Sequence, residues 1–330
     1  MSDSAAAPVL NRGWITISIM LATFMQGVDT TIANVALPHM QGSLSASQDQ
    51  IAWVVTSYIV AAAIMTPLTG WLAGRFGIKY VFLISVAGFT VASALCGLAM
   101  SLTQLVIYRL LQGACGAALV PLSQAVLLQI NPPHRHGQAM AVWGMGVILG
   151  PILGPVLGGW LTDNYSWRWV FYINLPVGVL AAVGIMIFIH ETRRAQREAF
   201  DFFGFVTLSV AIGALQMLLD RGELKDWFGS SEIWIETTIA ALCLYLFVVH
   251  TATATDRSFL NRDLLKDANC VAGTLRMFLV GIPLYGTMTL LPTMLQDLMN
   301  YPVFTTGLVT APRGIGTMVA MILVARLIGR

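Results

Sequence analysis

The sequence predicts an all-α polytopic membrane protein, and three observations carry that prediction. Of 330 residues, 57% are hydrophobic and only 10% are charged, against about 25% charged in a soluble domain. Mean hydropathy is +0.75. The charges are also bunched, so that 51–72, 80–105, 138–161 and 169–189 contain none. Each of these stretches supplies the ~20 apolar residues needed to cross a hydrocarbon core. The same figures exclude disorder, a coiled coil, a disulfide scaffold and an ordinary soluble globule. A net charge of +2, with its basic residues dispersed over short loops, forms no patch for nucleic acid, so none is expected as a partner.

Ten spans follow in order. The first, 14–37, is apolar around a single acid, Asp29. It is too long for a cleaved signal and no small-x-small site follows it, so it reads as an anchor. The second (51–72) and third (80–101) are free of charge, and the fourth (103–128) carries Arg109. The fifth (138–161) and sixth (169–189) are again uncharged. A charged connector, 190–201, leads to the seventh (202–219) and eighth (237–254) spans. A second connector, 255–267, leads to the ninth (270–295), with Arg276, and the tenth (304–327), with Arg313. The expected domains are therefore a six-helix bundle at 1–189, the connector and two inserted helices at 190–254, and two helices of a second bundle at 255–330.

Lysine and arginine positions set the expected orientation. With the N-terminus in the cytoplasm, Arg12, Arg75, Lys79, Arg135, Arg193, Arg194, Arg197, Arg257, Arg262, Lys266, Arg326 and Arg330 fall inside. Only Arg168, Arg221 and Lys225 fall outside. A weak internal repeat relates Leu37-Pro38 and the later LAGR string at 72–75 to Leu291-Pro292 and the LIGR string at 327–330. It makes spans nine and ten the counterparts of spans one and two. The chain stops at that turn, so the repeat predicts a truncated second bundle lacking about four helices, on the order of 150 residues.

Cys96, Cys115, Cys243 and Cys270 have no CxxC spacing, which gives no metal or redox framework. No HExxH string, Ser/His/Asp set or paired intramembrane carboxylates suggest an enzyme. Two other features carry chemistry. The fifth span places Gly146, Gly150, Gly154 and Gly158 at i+4 spacing, beside Pro151, Pro155 and Gly159. One face is thus bare backbone, suited to close helix packing in lipid, and the prolines are expected to bend the helix. The second feature is charge. A midplane carboxylate costs about 2.5–3.5 kcal/mol on insertion scales and marks a functional site by default. Asp29 and Arg109 are expected at similar depths, as an ion pair that either couples protons or only holds structure.

GPILGPVLGG at 150–159 resembles the antiporter motif of major facilitator drug exporters. DTTIANVALP at 29–38 resembles the first-helix motif of the 14-helix drug:proton antiporters, and YRLLQGACGAA at 108–118 their fourth-helix motif. WRWVFYINLPVG at 167–178 and LDRGELKDWF at 219–228 are similar to EmrB/QacA-type exporters. The resemblance extends over about 14–330. It implies a major facilitator fold with a complete N-terminal bundle, two inserted helices, and the first two helices of the C-terminal bundle. GWLAGRFGIK at 70–79 resembles the cytoplasmic loop motif through Gly70, Arg75, Gly77 and Lys79, but has Gly74 where the superfamily carries Asp.

The resemblance implies a secondary transporter of the plasma (inner) membrane that exports amphipathic drugs or toxic compounds in exchange for protons. It implies no cofactor beyond the proton gradient. Its implied partners are a small amphipathic substrate, the lipid bilayer and a periplasmic adaptor protein. In that fold the first helix of each three-helix repeat lines the cavity, which nominates Met25, Gln26, Gln112, Met277, Tyr285 and Met288. The glycine face of the fifth span is expected against the tenth, near Gly307, Ala311 and Gly314. Alternatives are export of an endogenous metabolite or siderophore, and a truncated membrane subunit that does not transport.

Overall fold

The structure is a computed structural model that describes residues 11–190, 200–253, 266–302 and separate positions between 305 and 323. Side chains at 48, 49, 284, 285, 288, 289, 292, 293, 296 and 297 lie outside the described set. Among the described residues all regular structure is helical. It comprises α1 (Arg12–Ser43), α2 (Gln48–Met65), α3 (Leu68–Phe76), α4 (Ile78–Leu98), α5 (Leu102–Gly116), α6 (Leu119–Ile130), α7 (His136–Asn164), α8 (Trp169–Tyr172), α9 (Asn174–Phe188), α10 (Phe202–Arg221), α11 (Ser231–Thr253) and α12 (Ala268–Thr293). Among the described residues seven spans are long and apolar enough to cross a membrane, with α5–α6 and α8–α9 each counted as one, or eight if α2 and α3 are one bent span.

Prolines divide three of the expected spans. The second bends by 55° between α2 and α3 at Thr66–Pro67, where Pro67 offers no N–H. The fourth breaks at Ala117–Ala118, shortly before Pro121, and the sixth breaks at Ile173 just before Pro176; a proline removes an N–H and crowds the carbonyl four residues earlier. The fifth span is not divided. The helix α7 runs unbroken through Pro151 and Pro155, because contact with α1 along most of its length supports it where donors are missing. Pro38 likewise does not end the first helix, which continues to Ser43. The eighth helix begins at Ser231 rather than 237.

Packing among the first six spans is symmetric. The strongest contacts join α1 to α7 and α2 to α5, that is, the first span of each triplet to the second span of the other. Third spans meet first spans through α4–α5 and α1–α9, and the two third spans meet through α4–α9. Exchanging spans one to three with spans four to six leaves this pattern unchanged. Two apolar clusters fill the interior. One, around Ile19, Phe82, Phe89 and Leu119, lies toward the start of α1. The other, around Ile32, Val54, Leu105 and Phe171, lies toward its end. Large apolar side chains such as Ile84, Met100, Leu180 and Tyr245 face outward, as a lipid-contacting surface requires.

The inserted helices α10 and α11 pack together, and α10 leans on α2. Thr56 of α2 donates its hydroxyl to Asp220 Oδ2 at 2.5 Å. At the other end of α10, Asp201 caps Gly204 N at 2.8 Å and meets His250 Nε2 at 2.9 Å. Arg221 and Lys225 bridge to Glu232 and Glu236 across the connecting turn.

Between α3 and α4, Gly77 has φ 95° and ψ 148° and ends one helix while starting the next. That region is close to the one only glycine occupies readily. Gly77→Ala is expected to lower stability by about 1–3 kcal/mol, read as a lower melting temperature in detergent. Lys79 follows it and donates to the Met186 carbonyl at 2.8 Å, tying α4 to the last turn of α9. Arg75 lies over the rings of Trp71 and Phe76, at 5.5 and 5.9 Å. Gly70 is exposed, with open space where a Cβ would stand.

Candidate functional site: a buried charged network

Asp29 sits near the midpoint of the 32-residue α1, between the two apolar clusters, and is 0% exposed. Its helix is longer at both ends than the sequence suggests, so the carboxylate is deeper than a helix ending at 37 would place it. Arg109 of α5 is 1% exposed and donates from Nη1 to Asp29 Oδ2 at 2.7 Å. The expected pair is therefore formed.

Three further groups complete it. Gln112, one turn after Arg109, donates from Nε2 to Asp29 Oδ1 at 2.8 Å and accepts from Arg109 Nη1 at 2.8 Å. Asn174, at the start of α9, donates to the same Asp29 Oδ1 at 2.8 Å and to Ser93 Oγ at 3.0 Å. Ser93 in turn donates to the Phe171 carbonyl at 2.9 Å. Arg109 Nε is fixed on the Val54 carbonyl at 2.9 Å, and its guanidinium lies 4.3 Å from the ring centre of Tyr58. Cys96 contacts Gln112 Oε1 at 3.5 Å.

Spans one, two, three, four and six all contribute to this network. Burying an ion pair is tolerable only when the remaining lone pairs and protons are also satisfied, and Asp29 accepts from three donors. The pair was legible in the sequence, but Asn174 and Ser93 were not nominated. Their one available signal was that an asparagine interrupts an otherwise apolar span.

The nominated cavity residues separate. Gln112 belongs to the network. Met25 is 1% exposed and packed in the first apolar cluster, so it lines no open surface. Gln26 is half-buried. Met277 is 74% exposed on α12, and Arg276 beside it is also exposed. The side chains of Tyr285 and Met288 lie outside the described set.

The glycine face requires a correction. Gly146, Gly150, Gly154 and Gly158 are buried, but against α1, not against the tenth span. They meet Met20, Gly27 and Val28, Thr31, and Ile32 respectively. The face finds α1 because Gly27 there also lacks a side chain, which lets two backbones touch. Gly159 is buried beside them, while Pro151 and Pro155 are half-buried. Gly314 of the tenth span approaches Ile152 of α7 instead. Gly307 and Ala311 lie outside the described residues, as does Arg313.

A bundle of two interchangeable three-span repeats, closed around a buried charged network, defines a polytopic helical membrane protein. The chain belongs to the Major Facilitator Superfamily, whose family model matches residues 19–330. It is similar to "Fatty acid resistance protein FarB" of Neisseria gonorrhoeae, 42% identical over 303 residues, which covers 92% of this chain and 60% of that protein. It is also similar to "Multidrug export protein EmrB" of Escherichia coli K12, 41% identical over 302 residues, covering 91% of this chain and 59% of that one. The chain thus spans about three-fifths of the length of these curated relatives. In fold it is similar to the proton:xylose symporter XylE from E. coli, with TM-score 0.63 at 15% identity over 96% of this chain and 68% of that one. Family and fold are those of transporters rather than enzymes.

Proposed function

We propose that this protein exports small amphipathic compounds across the plasma (inner) membrane in exchange for protons, with Asp29 carrying the proton and Arg109 serving as its counter-charge. The observation that carries this reading is the fully buried Asp29 carboxylate, held by Arg109 and Gln112 from one span and Asn174 from another. In the ionised state all three donors bind it, which locks α1 to α5 and α9. Desolvation favours the neutral form of a carboxyl and a neighbouring guanidinium the ionised form. Protonation cancels the attraction to Arg109 and leaves the amide donors of Gln112 and Asn174 with a poorer acceptor. The lock then loosens, α1 shifts against its neighbours, and the direction of access changes.

The names of FarB and EmrB, which mention fatty acid resistance and multidrug export, support an amphipathic cargo. Exposed Arg276 on α12 suits an anionic headgroup. The arginine and lysine distribution supports a cytoplasmic N-terminus. The reading includes the domains 1–189, 190–254 and 255–330, and a periplasmic adaptor as partner. No cofactor enters the cycle beyond the proton gradient.

The test is made in proteoliposomes with an imposed pH gradient and a fluorescent amphipathic probe such as ethidium. Uphill probe movement should require the gradient and should carry protons in the opposite direction. Probe export that persists at full rate after the gradient is collapsed would sink the exchange reading.

A further inference from the structure

The Asp29 carboxylate is met by donors on both oxygens. Arg109 Nη1 donates to its Oδ2, and Gln112 Nε2 and Asn174 Nδ2 donate to its Oδ1. A protonated carboxyl adds a donor of its own and calls for an acceptor. An amide supplies one by turning over, which exchanges its nitrogen for its oxygen. Gln112 is held against such a turn. Its Oε1 accepts from Arg109 Nη1 at 2.8 Å and meets Cys96 Sγ at 3.5 Å. A guanidinium has no acceptor, so a turned Gln112 would set donor against donor.

Asn174 is under no such constraint. Its Nδ2 serves two acceptors, Asp29 Oδ1 at 2.8 Å and Ser93 Oγ at 3.0 Å. Once Asp29 binds a proton both partners can donate instead, the carboxyl through its O–H and the serine by rotating its hydroxyl. A turned Asn174 then accepts from both through Oδ1. Ser93 has one proton to give, and with Asp29 ionised it goes to the Phe171 carbonyl at 2.9 Å. The turn therefore takes that donor away from Phe171.

The loss falls where the sixth span is weakest. Phe171 lies two residues before the break between α8 and α9 at Ile173, and Pro176 has no N–H for the neighbouring Tyr172 carbonyl. Arg168 ties the start of α8 to α4, donating from Nη1 to the Gly97 carbonyl at 3.0 Å and the Ala99 carbonyl at 2.5 Å. Ser93 ties the other end of α8 to α4. Beyond the break, Gly178 of α9 rests against Thr90 of α4. Without the Ser93 bond, the end of α8 next to the break is loosened while α9 stays on α4. Among the described residues, the charged or titratable groups that meet this network are Arg109 on α5, Tyr58 on α2 and Cys96 on α4. The helix α7 meets this part of α1 through Gly150 and Gly154, and α8 and α9 reach the network through Phe171 and Asn174, none of them ionisable.

We propose that Asn174 and Ser93 are positioning residues that convert protonation of Asp29 into movement at the break in the sixth span, by reversing donor and acceptor along Asp29, Asn174, Ser93 and the Phe171 carbonyl. This deepens the exchange reading and rests on Asp29 being the proton carrier. The proton stays on the carboxyl, and no covalent bond changes in Asn174 or Ser93. When Asp29 ionises again, it draws the Asn174 amide back, and the Ser93 hydroxyl returns to Phe171.

The test takes two readings against pH on the detergent-solubilised protein. One is the infrared carboxyl C=O band, assigned to Asp29 by its loss in Asp29→Asn. The other is hydrogen–deuterium exchange of residues 169–175 by mass spectrometry, with exposure times scaled to the intrinsic rate at each pH. In the wild type, exchange should rise about fivefold, the worth of one hydrogen bond, with the same midpoint as the band. Ser93→Ala should exchange fast on both sides of that midpoint. Asn174→Leu should exchange slowly on both sides, because Ser93 then keeps its proton on Phe171. The Asp29 band should still titrate in both variants. Faster exchange in Asn174→Leu at every pH marks a merely structural role and overturns the switch, as does a pH step preserved in Ser93→Ala. Should Asn174→Leu not fold, loss of the step in Ser93→Ala carries the test. A band that titrates in the wild type with no step in exchange overturns the switch and leaves the Asp29 reading standing. If no band separates wild type from Asp29→Asn, the Asp29 reading fails and the switch with it.

Discussion

Asp29→Asn is expected to abolish uphill export while leaving a folded protein that still binds its cargo. Asparagine keeps the volume and an acceptor oxygen for Asn174 or Gln112, but it cannot carry a proton. It also leaves Arg109, 1% exposed, with its charge uncompensated. Breaking a buried pair on one side costs about 3–5 kcal/mol, a large part of the ~5–15 kcal/mol that holds a domain together. Two effects are therefore superposed, and a double-mutant cycle separates them. Arg109→Gln alone should destabilise by exposing the opposite charge to the same penalty. Asp29→Asn with Arg109→Gln should recover most of the melting temperature, because no buried charge remains, yet stay inactive in proton-driven export. Arg109→Lys should also fail, since one ammonium cannot reach the Val54 carbonyl, Asp29 and Gln112 together in the geometry of the guanidinium fork. The measurements are melting temperature, probe affinity and gradient-driven export for each variant. Full uphill export by well-folded Asp29→Asn would eliminate this residue as the proton carrier.

What the sequence made legible here was charge in an apolar run. Asp29 and Arg109 stand out because few charges lie in the spans at all, and equal depth pairs them. Asn174 and Ser93 did not stand out, because uncharged polar residues are common in membrane helices. Only the α1–α9 and α4–α9 contacts bring these two to the carboxylate. Spacing told that α7 has a bare face but not which helix covers it, since i+4 periodicity defines a direction on one helix and says nothing about its neighbour. Gly27 on α1 was a signal of the true partner, isolated and therefore easily passed over. The end of the first helix was misjudged because Pro38 was read as its terminator. Pro38 and Pro151 sit in helices supported along their length by neighbours, whereas Pro67 and Pro121 accompany real breaks. Lone prolines in a sequence do not distinguish these cases, because the difference lies in the packing around them.

Gly150→Ala is expected to be the most damaging single-methyl change in the glycine face. A Cβ there would stand 2.7 Å from the carbonyl carbon of Gly27 and 2.8 Å from the nitrogen of Val28. Both are backbone atoms of α1, so no rotamer change relieves the clash, and the two helices must separate. That separation would loosen the contact that runs along most of α1, and with it the placement of Asp29 less than one turn past Gly27. A well-packed interior resists added methylenes by about 1–3 kcal/mol, and a backbone-on-backbone contact should lie at or above the top of that range. Gly146→Ala is the internal control. Its added Cβ meets chiefly the terminal methyl of Met20, the far end of a flexible side chain that can swing away, so a loss under about 1 kcal/mol is expected. At the α5–α2 contact, the counterpart of α1–α7, Gly113→Ala should be similarly damaging, because its Cβ would run into the Tyr58 backbone. Melting temperature and the yield of monodisperse protein in detergent rank the three variants. Equal tolerance of alanine at 146 and 150 would show that α1 and α7 are not in backbone contact, and would return the glycine face to the search for another partner.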